Sequence, residues 1–117
     1  VEYHANLGQF DLLDYSADND LMVTAYSPLG QGKVLEEPLI KDLARKYGKS
    51  PAQIALRWLI EQEQVVIIPK ASSRVHLEEN LDIYDFVLED DDFYAIDELP
   101  KDQRIVTPDF APDWDAV

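Results

Sequence analysis

Short apolar segments alternate along this chain with segments of helical periodicity, and that alternation restricts the fold more than any other feature. Residues 21–26 and 65–68 are largely apolar and rich in β-branched side chains. Such runs are typical of strands that are buried on both faces of a parallel sheet. Val1, Glu2 and Tyr3 fit the end of a third strand of this kind. Since helical segments separate the strands, we expect right-handed βαβ connections and an α/β fold.

Five helices are predicted, and most have recognisable boundaries. Pro38 marks one start and Gly48 its end, while Ser50 with Gln53 forms a capping box for the next helix. Two of the remaining helices cover residues 10–17 and 91–99. The third begins after Ser72 or Ser73 and has an apolar stripe of Leu77, Leu81 and Tyr84. Three strands with this much helix do not close a domain, and the chain begins without Met. We therefore expect a fragment of a larger α/β unit.

The net charge of -14, with an isoelectric point near 4.2, limits the partners of this chain. Phosphate backbones and anionic lipid surfaces would repel it, so we expect neither nucleic-acid binding nor membrane binding. The acidic residues are scattered over predicted helices and their ends, which favours a solvated surface over an acidic binding site. The scarcity of lysine beside them suggests a halophilic source. Cysteine is absent, and His4 and His76 have no nearby ligand set, so no metal site is predicted.

The first candidate site follows the strand at 21–26. Tyr26 ends the strand, Ser27 follows, and Gly30 and Gly32 belong to a loop that can approach a ligand closely. Ligands of parallel α/β sheets bind at the carboxyl ends of the strands. The alternative is a plain strand-to-loop turn in which Tyr26 only packs.

The second candidate site follows the strand at 65–68 and leads into a helix N-terminus. Lys70, Ser72, Ser73 and Arg74 combine cations, hydroxyls and unpaired helix amides, which favour an anion and most often phosphate. The alternative is an ordinary helix cap with solvated Lys70 and Arg74. The sequence contains no Walker loop, Gly-x-Gly-x-x-Gly motif or nucleophile elbow. The residues themselves therefore indicate a binding site without a reaction centre.

Five segments resemble motifs of the aldo-keto reductase family in their order and spacing, namely residues 1–4, 24–30, 48–58, 68–70 and 79–80. The resemblance extends to about residue 99. It implies a (β/α)₈ TIM barrel, of which residues 1–117 would be the C-terminal segment of one barrel domain, from the sixth strand onward. It also implies a cytoplasmic oxidoreductase that reduces aldehydes or ketones to alcohols by hydride transfer from NADP(H), with NAD(H) as the alternative cofactor.

The resemblance assigns the nicotinamide half of the cofactor to the first candidate site. Tyr26 would stack on the nicotinamide ring and present one face of it for hydride transfer. Ser27, Leu29 and the loop that contains Gly30 and Gly32 would follow the pyrophosphate.

The adenosine half is assigned to the second candidate site and the helix after it. Lys70 would pair with the adenosine 2′-phosphate, with Ser72 and Ser73 as nearby hydroxyl donors. Glu79 and Asn80 would contact the adenine. The cofactor would then be held extended, without a Rossmann fold.

Two positions depart from the family pattern. His76 stands where NADP-specific members often have arginine, and imidazole lacks the fixed charge of guanidinium. Arg74, two residues earlier, is a candidate to replace that charge. Ala71 stands where a hydroxyl is common in the phosphate site. In the C-terminal tail, the resemblance suggests Phe110 and Trp114 as residues that line the pocket for a small carbonyl or alcohol substrate.

No segment of this chain matches the motifs that carry the family's catalytic tyrosine, lysine, aspartate and histidine. We therefore expect no turnover from these residues alone. The alternative is a non-catalytic nucleotide-binding or assembly module derived from the same fold. An isolated fragment would expose strand edges, so we would expect it to self-associate.

Overall fold

The computed structural model describes residues 1–112 and has the alternation of strands and helices that the sequence predicts. In chain order the elements are α1 (Phe10–Asp18), β1 (Val23–Ala25), a 3₁₀ helix (Gly30–Glu36), α2 (Pro38–Tyr47), α3 (Pro51–Ile60), β2 (Val65–Ile67), α4 (Arg74–Leu81) and α5 (Asp90–Asp97). All five predicted helices are present. The 3₁₀ helix, which is kinked by non-helical backbone angles at Gln31 and Gly32, is an addition, because the sequence predicts only a loop there.

The two strands are parallel neighbours, as the βαβ pattern predicts. Val23 pairs with Val65 and Ala25 with Ile67. On the other side of β1, residues 1–3 run in the same direction, with a parallel bridge between Glu2 and Tyr26. The segment 1–3 therefore lies where the sequence expects a third strand. Because the segment 1–3 and the two strands all run in parallel, their carboxyl ends lie at one edge of the sheet.

The predicted helix boundaries follow from local capping. At Ser50 the side chain accepts the Gln53 N–H while the Gln53 side chain accepts the Ser50 N–H, which completes the capping box of α3. At the end of α2, Gly48 adopts a left-handed conformation with φ of 64°, and its N–H bonds back to the last turn. Both signals act within four residues, so the sequence alone is sufficient to predict them.

The core lies between the sheet and helices α2, α3 and α5. Trp58 of α3 is fully buried, with its ring 5.5 Å from that of Tyr3 and 6.3 Å from that of Phe93. Its indole N–H donates to Asp97 at 3.0 Å. The helix α3 thus packs against the first segment of the chain and the last helix at once.

Two expectations about burial are wrong. Within residues 1–112 the strands are not covered on both faces, since Thr24 of β1 is exposed and Val66 of β2 is 43% exposed. The helices of residues 1–112 pack against one face of the sheet only. The predicted helix after Ser73 ends at Leu81 before it reaches Tyr84, and its apolar stripe faces solvent, with Leu81 at 72% exposure. No helix in the described part of the chain combines the length and the apolar composition that a membrane crossing requires.

Candidate functional site

A cleft of about 490 Å³ lies where the two strands end. One wall comes from the loop after β1 and the other from the segment after β2, so the parallel pairing brings both predicted sites together. The lining residues are Ser27, Pro28, Leu29, Gln31, Gly32, Ile68, Pro69, Lys70 and Ser72. We call this the first cleft.

The loop after β1 is more elaborate than a plain turn. Ser27, Gly30, Gln31 and Gly32 all have positive φ, at 48°, 57°, 52° and 91°. Internal hydrogen bonds hold this backbone, with the Gly30 N–H donating to the Ser27 carbonyl at 2.8 Å and the Gly32 N–H to the Leu29 carbonyl at 3.0 Å. Left-handed conformations at non-glycine residues are uncommon and concentrate at functional sites.

Gly30 itself serves packing and does not line the first cleft. It is buried, and an ideal Cβ on it would lie 3.0 Å from Val34 Cγ2 and 3.3 Å from Ile105 Cδ1. The sequence assigned this glycine to close approach of a ligand. The structure instead shows close approach of the Ile105 side chain from the C-terminal tail.

Replacing Gly30 with alanine is expected to lower the free energy of unfolding by about 1–3 kcal/mol, because it adds close contacts to a positive φ. Gly48→Ala is the matched control, since Gly48 has a similar φ of 64° but nothing within 4 Å of an added Cβ. Urea unfolding midpoints should fall further for Gly30→Ala than for Gly48→Ala. Equal losses would mean that the contacts with Val34 and Ile105 have no energetic effect.

A second cleft of about 230 Å³ adjoins the first. Leu29 and Lys70 line both clefts, so the two clefts are neighbours with Lys70 between them. The lining residues of the second cleft are Leu29, Leu35, Ala52, Lys70, His76, Glu79 and Asn80. The residues predicted for adenine contact therefore lie beside the lysine predicted for phosphate contact.

Helix α3 fixes the position of Glu79 in the second cleft. The Ser50 hydroxyl donates to the Glu79 carboxylate. Gln53 donates through its side-chain amide to the carbonyls of Glu79 and Asp82, both at 3.1 Å. The capping box of α3 thus also holds the end of α4.

The two cations of the second predicted site, Lys70 and Arg74, have different surroundings in the structure. Lys70 lines both clefts, and among residues 1–112 its side chain has no hydrogen bond or ion pair. Arg74 instead pairs with Glu78 at 2.7 Å, and its side chain is 90% exposed. Ser73 accepts the His76 N–H at 3.2 Å as the cap of α4. Arg74 and Ser73 line neither cleft.

The remaining predicted residues lie around the clefts or outside them. Tyr26 is half-buried and precedes Ser27 in the chain but lines neither cleft, and its N–H donates to the Val1 carbonyl at 2.8 Å. Phe110 is 90% exposed and lines neither cleft. Trp114 lies outside the described residues. Within residues 1–112 no group of three or more acidic or histidine side chains is arranged to hold a metal ion.

Sequence reasoning overlooked one buried polar cluster next to this region. Glu2 and His4 are each 1% exposed, and His4 Nε2 lies 2.9 Å from Glu2 Oε1. Burial alone would raise the pKa of Glu2, but the N–H groups of Val106 and Ile105 and the His4 ring together hold that pKa below its ordinary 4.5. Burial lowers the pKa of His4 below its ordinary 6.5, against the effect of Glu2. The i, i+2 spacing was the available signal, because it places both side chains on one face of a strand.

The model of the aldo/keto reductase family matches residues 1–101, so this chain belongs to that family. Glyoxal reductase of Bacillus subtilis is 42% identical over 105 residues, which is 90% of this chain and 38% of that protein. An aldo-keto reductase of Mycobacterium avium is 38% identical over 106 residues, which is 91% of this chain and 37% of that protein. The chain therefore spans well under half the length of these relatives.

Solved structures share the fold of this chain. A putative 2,5-diketo-D-gluconic acid reductase B superposes with a TM-score of 0.93 at 38% identity, over 99% of this chain and 42% of the other. A variant of the protein Gox0644 in complex with NADPH gives a TM-score of 0.86 at 33% identity, over 92% of this chain and 40% of the other. Parallel strands that alternate with helices, together with these neighbours, confirm the predicted class, part of a (β/α)₈ barrel.

Proposed function

We propose that this chain provides much of the dinucleotide site of an NADP(H)-dependent aldo-keto reductase, which interconverts aldehydes or ketones and alcohols. The observation that supports this most strongly is the position of Lys70. Its ammonium group has no partner among residues 1–112, although the chain carries a net charge of -14. It lies between a cleft with hydroxyl and glycine residues and a cleft with Glu79 and Asn80. Lys70 is exposed and carries no ion pair with residues 1–112, so its ammonium group is available to an anionic ligand in either cleft.

The size and composition of the two clefts fit an extended dinucleotide. Their volumes, about 490 and 230 Å³, fall together within the range of small-molecule sites. In this proposal Tyr26 stacks on the nicotinamide, while Ser27, Leu29 and the backbone near Gly32 follow the pyrophosphate. Gly30 does not line the cleft and packs against Val34 and Ile105.

The adenosine half follows Lys70 in the same proposal. Lys70 and Ser72 bind the 2′-phosphate, and His76, Glu79 and Asn80 surround the adenine. Since Arg74 pairs with Glu78 outside the clefts, selection for the phosphorylated cofactor depends mainly on Lys70. The imidazole of His76 contributes stacking without the fixed charge of a guanidinium group.

In this proposal the residues of this chain bind and orient the cofactor, and none of them is catalytic. The bound nicotinamide supplies the hydride chemistry, and the chain's own residues hold the ring face and the phosphates in place. The proton donor to the carbonyl belongs to the part of the relatives that the 117 residues do not span. Phe110 and Trp114 remain proposed contacts to the substrate.

Lys70→Gln tests the site. In the complete natural polypeptide that carries these residues, the dissociation constant for NADPH should rise about 10- to 100-fold, the usual cost of losing a charged hydrogen bond. The constant for NADH should change little, because NADH lacks the 2′-phosphate. Both constants can be measured by cofactor fluorescence titration.

Lys33→Gln is the matched control, because Lys33 is an exposed lysine of the 3₁₀ helix that lines neither cleft. It removes the same charge and should leave both dissociation constants unchanged. Equal effects of the two variants on NADPH would refute a specific phosphate contact at Lys70. NADPH oxidation with a panel of aldehydes then decides between the reductase and a non-catalytic nucleotide-binding module.

A further inference from the structure

The C-terminal tail is held by a carboxylate from the other end of the chain. Glu2 accepts the Ile105 N–H through Oε1 and the Val106 N–H through Oε2, both at 2.8 Å. His4 completes the set of donors at 2.9 Å. We call these four residues, Glu2, His4, Ile105 and Val106, the tail anchor. Charge-assisted hydrogen bonds to a carboxylate that is 1% exposed are among the stronger polar interactions available to a protein.

The protonation of the anchor follows from its hydrogen bonds. His4 Nδ1 accepts the Asn6 N–H at 3.2 Å, so the ring proton lies on Nε2 and points to Glu2. The ring is therefore a neutral donor and the carboxylate is the acceptor of all three hydrogen bonds. No buried side-chain polar atom in residues 1–112 lacks a partner. All three hydrogen bonds of the anchor thus end on the two carboxylate oxygens of Glu2.

The anchor also contacts the loop that lines the first cleft. An ideal Cβ on Gly30 would lie 3.3 Å from Ile105 Cδ1 and 3.7 Å from His4 Cδ2, so both side chains pack against Gly30. Gly30 follows Leu29, which lines both clefts. The tail, the anchor and the loop therefore form a contiguous set of contacts.

We infer that Glu2 is a positioning residue that links the order of the C-terminal tail to dinucleotide binding at the 27–32 loop. Its carboxylate fixes Ile105 against Gly30, and Gly30 supports the backbone that follows the pyrophosphate. If ordering of the tail strengthens dinucleotide binding, then dinucleotide binding must favour ordering of the tail by the same free energy. A dinucleotide that orders the loop must therefore also stabilise the tail, and a loosened tail must weaken dinucleotide binding. This inference rests on the proposed function.

Amide hydrogen exchange measures the linkage directly, because the Ile105 and Val106 amides are the donors to Glu2. In the complete natural polypeptide, NADPH at saturation should slow their exchange by about fivefold or more, the lower end of typical coupling between sites. Glu2→Gln should remove most of this slowing, since an amide side chain offers one acceptor where the carboxylate offers two. The same variant should raise the dissociation constant for NADPH about fivefold.

Glu61→Gln is the matched control. Glu61 also accepts a backbone N–H, from Leu88 at 2.8 Å, and also pairs with a basic side chain, Arg57. It lies in neither cleft and is no part of the anchor. We expect it to retain wild-type NADPH affinity and wild-type slowing of the two tail amides.

Ile105→Ala is a second variant, which leaves the Glu2 hydrogen bonds in place and removes the contact with Gly30. Ile105 is only half-buried, so the variant should fold. It should reduce the effect of NADPH on the tail amides while Glu2 still protects them in the free protein. This separates the link to the loop from the anchoring of the tail.

The outcomes distinguish the two claims. NADPH binding with unchanged exchange at Ile105 and Val106 overturns the linkage and leaves the proposed function standing. Full slowing in Glu2→Gln also overturns it. Absence of any NADPH binding by the wild-type protein overturns the linkage and the proposed function together.

Discussion

Trp58→Ala is expected to lower the free energy of unfolding by about 3–5 kcal/mol, the range typical of truncating a buried aromatic residue. Trp58 is fully buried, and its ring lies between those of Tyr3 and Phe93. The substitution leaves a cavity between α3, the first segment of the chain and α5. It also removes the donor to Asp97, a carboxyl whose pKa burial already raises. Urea unfolding followed by circular dichroism measures the loss.

Two further variants separate packing from the hydrogen bond. Trp58→Phe keeps an aromatic ring and loses the N–H, so it should cost less than Trp58→Ala. Tyr15→Ala removes an aromatic ring that is 60% exposed, and it should change stability by about 0.5 kcal/mol at most. If Trp58→Ala and Tyr15→Ala unfold at the same urea concentration, the assignment of Trp58 to the core is wrong.

Glu2→Leu is expected to cost about 3–5 kcal/mol at neutral pH, because it leaves three buried or half-buried donors without their acceptor, and each unsatisfied donor costs about 1–3 kcal/mol. Leucine leaves the Ile105 and Val106 amides and the His4 ring without their acceptor. The loss should be constant from neutral pH down to about pH 4.5 and shrink below it. The reason is that the pKa of Glu2 is lowered by folding, so its stabilising contribution disappears as the pH falls through the folded value.

His4 gives a separate dependence on pH. In the unfolded chain its ring takes up a proton near pH 6.5, whereas in the folded protein it stays neutral to lower pH. The unfolded state then binds more protons, so stability decreases as the pH falls below about 6.5. This decrease should occur in both the wild type and Glu2→Leu. Urea midpoints measured from pH 7.5 to 4 test both expectations, and a loss for Glu2→Leu that already shrinks near pH 6.5 would contradict them.

Local signals account for the elements that the sequence predicts well. The Ser50–Gln53 capping box and the left-handed Gly48 act within one helical turn, so they are visible in a few residues. The parallel pairing of β1 and β2 follows from the helices between them. Parallel strands end at one edge of a sheet, and Ser27 and Lys70, which follow the two strands, both line the first cleft.

Burial is where local reasoning fails. An apolar run is consistent with coverage on one face or on two, and only the packing of other elements decides between them. In residues 1–112 the helices cover one face of the sheet, so Val66 is exposed, and the apolar stripe of α4 that contains Leu81 faces solvent as well. The 3₁₀ helix at Gly30–Glu36 was missed for a different reason, since its path depends on positive φ values at Ser27 and Gln31, which non-glycine residues rarely adopt.

By itself the sequence determined the α/β class, the order of the helices and strands, the two strand ends that form the clefts, and the resemblance to a family. These features depend on periodicity, capping and motif spacing, which are properties of neighbouring residues. Only the tertiary structure decided that Gly30 packs against the tail and that Glu2 holds amides 103 and 104 positions away. Contacts at such separations arise from the folded path of the whole chain, and no local pattern encodes them.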